Sequence, residues 1–313
     1  MPRFDLDAVR SAFPALGASD WAYFDNAGGS QVLRGVAERV SDFLLTTSVQ
    51  LGASYEPSRV AADRFAQARA RIALLIGASR PEEVVLGPST TQLMRNLCAA
   101  MASQFSPGDE IVLTIMEHHA NIVPWHFLRE RKGAVIKWLP MSDAGELLID
   151  ELDRMITRKT KIVAVTHMSN VLGTLNPVKD IIRIAHAKGV PVLVDGSQSA
   201  VHASVDVRDL DADFFVFTGH KTYGPTGIGV LYGKKQLLDR LPPYEGGGDM
   251  IESVSVDRVT YNVIPHKFEA GTPPIVEAIG LGVALNYMMQ VGRDRIATYE
   301  AEIARYAGER LSE

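Results

Sequence analysis

Cysteine is nearly absent from this 313-residue chain, which carries one, Cys98. A single thiol excludes an intramolecular disulfide framework and any zinc site built on several cysteines. Positive charge is not in excess either: 32 Lys+Arg stand against 37 Asp+Glu, a formal net charge of −5. That balance disfavours a nucleic-acid partner. Long hydrophobic runs are missing too. The weakly polar stretch 275–290 is broken by Glu277, Gly280, Gly282 and Asn286 and falls short of the about 18 apolar residues a membrane span needs. The start, Met1 to Asp7, is charged and lacks the apolar core of a secretory signal. No internal repeat and no low-complexity linker is present. These absences together lead to the expectation of a cytoplasmic protein with no membrane partner.

What is present is ordinary for a globular protein: 46% hydrophobic residues and 22% charged, enough for a large core. The length suits two domains or one large α/β domain. From residue 82 onward, short Val/Ile-rich runs (84–86, 110–113, 135–139, 161–165 and 190–194) alternate with helical patterns (90–101, 149–156 and 178–188). Strand and helix alternating at this spacing predict a mainly parallel sheet with helices on both faces. The runs 214–217 and 228–232 are joined by a glycine-rich loop too short for a helical crossover, so these two strands are expected to pair antiparallel. The closing stretch 298–311 reads as a charged amphipathic helix with no sheet left to receive it, which suggests a domain boundary.

Ligands of open α/β sheets bind beyond the carboxyl ends of the strands. Here those ends supply Thr90 and Thr91, His118 and His119, Asn170, Asp195 and Gln198, and Thr218, His220 and Lys221. A carboxylate such as Asp195, at the end of an apolar strand, is desolvated and calls for a cationic partner, although strand-end Asp is also common as a helix cap. A lysine in a desolvated pocket forms Schiff bases, although a lone lysine is more often a surface residue. Lys221 and Asp195 at neighbouring strand ends together match the protein's contribution to pyridoxal phosphate chemistry. Thr90 and Thr91 open a helix, where free N–H groups and the dipole attract a phosphate; a plain N-cap remains equally open for this pair. His118 is placed to lie on a ring or to move protons, or else is a hydrogen-bonded loop histidine. His118, His119 and His126 have no carboxylate spacing to complete a metal site, and no metal is expected.

These residues lie in longer stretches that carry a resemblance: MEHHANIVPWHFLRER (116–131), THMSNVLGTLNPV (166–178), VLVDGSQSAVH (192–202), DADFFVFTGHKTYGPTGIGVLYGKK (211–235), PPYEGGGDMI (242–251) and FEAGTPP (268–274), with a looser match at YFDNAGG (23–29). The chain resembles the class V aminotransferase-like enzymes, in particular the SUF-type cysteine desulfurases and selenocysteine lyases. The resemblance implies the type I aminotransferase fold of pyridoxal-phosphate-dependent transferases. Residues 21–290 would form the large cofactor-binding domain, 1–20 the N-terminal part of a small domain, and 291–313 the start of its C-terminal part. It implies that Lys221 carries pyridoxal 5′-phosphate covalently, Asp195 pairs with the ring nitrogen, and Gln198 meets the phenolic oxygen. His118 would stack on the ring and assist proton transfer. Thr91, Thr218 and His220, with Thr90 adjacent, would hold the phosphate. Asn170 would lie near ring and substrate, and Thr272 would reach the phosphate of the partner in a homodimer. The substrate would be L-cysteine or L-selenocysteine, with the sulfur passing to an acceptor protein for iron–sulfur cluster assembly.

One feature departs from the family. Sulfur transfer needs a nucleophilic cysteine, and Cys98 sits in the apolar helix 93–101, the setting of a core residue rather than of a reactive thiolate. The family places its persulfide cysteine and its substrate-gripping arginine in the C-terminal small domain. The 313-residue form is therefore expected to be catalytically incomplete. The alternatives are another class V enzyme or a non-catalytic, dimerising cofactor-binding subunit.

Overall fold

Seven short strands carry the chain's most apolar runs, and the structure, a computed structural model that describes residues 5–312, gathers them into one sheet. Part of the charged opening, residues 1–4, and Glu313 lie outside the described residues. The strands are β1 Val84–Gly87, β2 Glu110–Thr114, β3 Val135–Leu139, β4 Thr160–Thr166, β5 Val192–Asp195, β6 Phe214–Thr218 and β7 Gly229–Gly233. Their order is β1-β7-β6-β5-β4-β2-β3. Strands β3, β2, β4, β5 and β6 run parallel, and β7 is antiparallel to both β6 and β1. This is the expected α/β architecture, with the expected antiparallel pair where the connection is shortest. Strands β8 (Ile251–Val254) and β9 (Val259–Tyr261) form a separate exposed hairpin.

Both faces of the sheet are covered, which is why its strands do not alternate. Ile72, Val165, Val194, Phe215, Ile181 and Leu285 are buried in the cluster on one face, and Leu93, Leu97, Leu113, Trp125, Ala164 and Val216 in the cluster on the other. Each large apolar side chain removed from water contributes about 1.5–3 kcal/mol. Helix Ile275–Val291, the weakly polar stretch of the sequence, is core: it packs on helices Glu56–Leu75 and Arg34–Thr46. Its Gly282 permits the approach, since a Cβ there would lie 3.0 Å from Ala68 Cβ. Among the described residues no single helix is long and apolar enough to cross a membrane.

Some boundaries differ from those read in the sequence. Strand β5 starts at Val192 rather than at 190, because Pro191 has no N–H for the ladder; its carbonyl instead accepts from Val163 N. The helix expected at 149–156 is a 3₁₀ turn, Ile149–Glu151, and one α-turn, Leu152–Met155. The final helix begins earlier than expected, at Arg293, directly after the turn at Gly292. Its exposed Ile303, Tyr306 and Leu311 leave an apolar stripe uncovered.

Candidate active site

Gly87, Gly229 and Thr218 share one register line across β1, β7 and β6. A Cβ on Gly229 would lie 2.3 Å from the Ser89 carbonyl carbon and 2.5 Å from Thr90 N, so only glycine lets the start of helix Thr90–Met101 approach the sheet. Ser89, not Thr90 or Thr91, is the cap: its Oγ accepts from Gln92 N at 3.1 Å. That corrects the capping alternative and leaves both threonines free of that duty. Thr91 is exposed, whereas Thr90 Oγ1 is buried without a hydrogen-bond partner. Beside them Thr218 Oγ1 lies 2.9 Å from His220 Nδ1.

Asp195 ends β5 and is 4% exposed. Its Oδ1 accepts from Ser197 N at 2.9 Å, the one hydrogen bond to this carboxylate among the described residues, and no cation comes within ion-pair distance. Lys221 closes the 3₁₀ turn Gly219–Lys221, after which Tyr223 adopts a left-handed φ of 61° and turns the chain away. Desolvation holds the Lys221 amine below the usual lysine range, with the Asp195 charge working against it. His118 follows β2; its Nδ1 accepts from Ala120 N at 3.1 Å, which leaves Nε2 to carry the ring's proton. Desolvation lowers its pKa; Asp195 opposes this, and Lys221 and His119 add to it. Desolvation and Lys221 likewise lower that of His220.

A cavity of about 440 Å³ joins these groups. Thr90, Thr91, His118, Asn170, Asp195, Gln198, Thr218, His220 and Lys221, nine of the ten residues singled out in the sequence, line it. Thr272 does not: it is exposed, with Oγ1 3.3 Å from Gln50 Oε1. Cys98 is buried, its Sγ donating to Pro124 O at 3.1 Å, and burial pushes its thiol pKa far up. It is therefore an inert core thiol. No group of three or more His, Cys, Asp or Glu that could hold a metal occurs among the described residues.

Two contributors are not among the residues singled out in the sequence. The irregular segment carrying Asp25, Ala27 and Gly28 also lines the cavity. It is pinned there by Gln198 Nε2 donating to Ala27 O (2.9 Å), Ser30 N to His220 O (2.8 Å) and Tyr223 N to Ser30 Oγ (2.8 Å). Beneath the floor lies Glu117, buried and triply hydrogen-bonded. Only its place beside His118 in the strand-end stretch could have signalled it.

The residues fit pyridoxal phosphate. An orphaned buried hydroxyl and a helix start line the cavity together with Thr218 and His220, and these groups would hold a phosphate. A buried carboxylate lacking a close cation lines it too, and a protonated ring nitrogen would be its partner.

Comparison with known proteins agrees. The model of the family described as aminotransferase class-V matches residues 22–313. The chain is 44% identical to a cysteine desulfurase of Dickeya dadantii, over 99% of this chain and 77% of that one. It is 43% identical to a probable cysteine desulfurase of Mycolicibacterium paratuberculosis, over 99% of this chain and 46% of that one. The chain thus spans about half the length of the latter relative. The solved structure of a cysteine desulfurase from Thermococcus onnurineus NA1 superposes with a TM-score of 0.94 at 34% identity, covering 98% of this chain and 76% of that one. With the parallel sheet, the strand-end cavity and these likenesses together, the chain belongs to the class-V aminotransferase family of pyridoxal-5′-phosphate-dependent enzymes and stands there among proteins similar to cysteine desulfurases.

Proposed function

We propose that the protein takes part in removing sulfur from L-cysteine to give alanine. The observation that carries this reading is the meeting of Lys221, Asp195 and His118 in one cavity that Thr90, Thr218 and His220 also line. When bound, pyridoxal phosphate supplies an electron sink for the charge left at the substrate Cα. Lys221 Nζ moves the Cα proton; desolvation makes it a neutral amine at lower pH than a solvated lysine, as a general base requires. Asp195 holds the proton of the ring nitrogen. His118 Nε2, free of the bond that Nδ1 accepts, lines the same cavity and would move a second proton. Gln198 and Asn170 orient the polar groups around it.

The overall change is redox-neutral. A thiol attacks the cysteine sulfur, the C–S bond breaks, and the products are a persulfide and alanine. Cys98 is not that thiol, because it is buried and protonated. Thr272 is exposed, which supports a homodimer in which it reaches the cofactor phosphate of the neighbouring subunit.

The test separates the proton step from sulfur transfer. Cofactor-loaded protein is incubated with L-cysteine in deuterium oxide, with dithiothreitol as accepting thiol, and the amino acids are analysed by mass spectrometry. Deuterium at Cα is expected, with alanine only where dithiothreitol stands in for the thiol that the buried Cys98 does not supply, and both should vanish in Lys221→Ala. A cofactor-loaded wild-type protein that exchanges no Cα proton would overturn the reading.

A further inference from the structure

Ladder pairing between β2 and β4 ends at Leu113 and Ala164. Beyond it β2 parts from β4, staying paired with β3 to Thr114 before the chain carries His118 into the cavity, while β4 runs on to Thr166. The departure would leave the Thr166 N–H unpaired, and Thr166 is 5% exposed. An unpaired donor there would carry the desolvation cost of a lost hydrogen bond. The structure fills the gap with a side chain. Glu117 Oε1 accepts from Thr166 N at 2.7 Å and from Thr114 Oγ1 at 2.6 Å. Glu117 Oε2 accepts from Asn121 Nδ2 at 2.7 Å, and Asn121 Oδ1 in turn accepts from Trp125 Nε1 at 3.1 Å. One carboxylate thus joins the end of β2, the end of β4 and the helix that follows His118. Thr166 is also the register partner of Asp195, whose carbonyl accepts from His167 N at 2.9 Å.

We propose that Glu117 is a positioning residue: it replaces the β2 backbone as the ladder partner of β4 and so holds His118 and Asp195 at fixed separation across the cavity floor. Glu117 is not among the residues lining the cavity, so its effect passes through His118. A core carboxylate with a purely structural duty would set stability alone. A positioning one also sets the geometry in which the cofactor ring is held. Misplacement by about an ångström costs on the order of 100-fold in rate.

The inference rests on the proposed reading of the cavity, and its test is chosen to keep the two apart. Glu117→Gln puts an amide donor where three donors converge; Thr114→Val removes one donor and leaves the cavity lining intact. Each is compared with the wild type, cofactor-loaded, by visible circular dichroism of the cofactor band, Cα deuterium exchange and thermal melting. For Glu117→Gln we expect altered ellipticity and an exchange rate lower by on the order of 10-fold to 100-fold with KM little changed. Thr114→Val should move both the same way by less. A lower melting temperature with wild-type ellipticity and exchange in either variant would overturn the inference and leave a structural role only. If Glu117→Gln does not fold, Thr114→Val decides by the same criterion. A wild-type protein that shows a cofactor band but no Cα exchange defeats the proposed function alone, and ellipticity still judges Glu117.

Discussion

Asp213 and Asp195, buried carboxylates at opposite ends of the neighbouring strands β6 and β5, are treated in opposite ways. At the amino end of β6, Asp213 is fully engaged: Oδ2 accepts from Val192 N at 2.8 Å and meets His186 Nε2 at 2.6 Å, while Oδ1 pairs with Lys234 at 3.0 Å. Asp211 beside it shares both His186 and Lys234, and the lysine's pKa is raised by these hydrogen bonds in spite of its desolvation. At the carboxyl end of β5, Asp195 has the Ser197 N–H alone. Of the five buried side-chain polar atoms without partners among the described residues, three, Thr90 Oγ1, His167 Nδ1 and Ser199 Oγ, follow strand carboxyl ends at this second edge. A folded chain normally satisfies its buried polar groups. An edge that leaves several open, even with Glu117 beneath it satisfied, is built to be completed by a ligand, whereas Asp213 at the opposite edge finds its partners within the chain.

The sharpest way to break this comparison is Lys221→Ala. It should abolish the borohydride-trappable cofactor adduct and lower Cα exchange by on the order of 10,000-fold; a surviving adduct, detected by mass spectrometry, would remove Lys221 from its role. Next in size, Asp195→Asn should weaken cofactor binding by on the order of 100-fold while leaving the cofactor-free protein as stable as before or more so. The matching change at the other edge, Asp213→Ala, should do the reverse, costing about 2 kcal/mol of stability without altering cofactor affinity. Titration of the cofactor band and chemical denaturation of both variants would expose any failure of the contrast: equal losses of stability at the two edges would erase it.

A smaller effect concerns pH. Burial depresses the His167 pKa to about 4, so the folded protein keeps this ring neutral. In the unfolded chain it protonates near its ordinary value of about 6.5. Between those two values the unfolded state binds a proton that the native state does not, and stability falls as pH falls through the window. Melting curves of His167→Gln should show a shallower decline there than those of the wild type. Least of all, Cys98→Ala should cost about 1 kcal/mol from lost packing and leave Cα exchange and alanine formation untouched; loss of alanine formation at unchanged stability would return Cys98 to the chemistry.

Much of the site was legible before folding because a parallel sheet delivers its strand ends to one edge whatever the details of packing. Asp195, His118, Asn170, Thr218 and Lys221 were each found by that rule. Ser89 was missed as the helix cap because three consecutive hydroxyl residues, 89–91, offer the same local chemistry. The choice is made by the close approach that Gly229 permits, 140 positions along the chain. The segment carrying Asp25 and Ala27 was missed as a cavity wall because it has no periodicity and its anchors, Gln198 and His220, are distant in sequence.

What the sequence by itself determined is the alternation of strand and helix, the antiparallel turn at 218–229, the chemistry offered at the sheet edge and the inert setting of Cys98. All of these follow from local pattern: apolar runs, loop length and residue type. What only the tertiary structure decided is which polar groups are satisfied and which stand open. That depends on pairs such as Glu117 with Thr166 and Asp213 with Val192, brought together when the strands assemble. Hydrogen-bond satisfaction is a property of the packed whole, and it separates the groups that hold the fold together, at either edge, from those left open for chemistry.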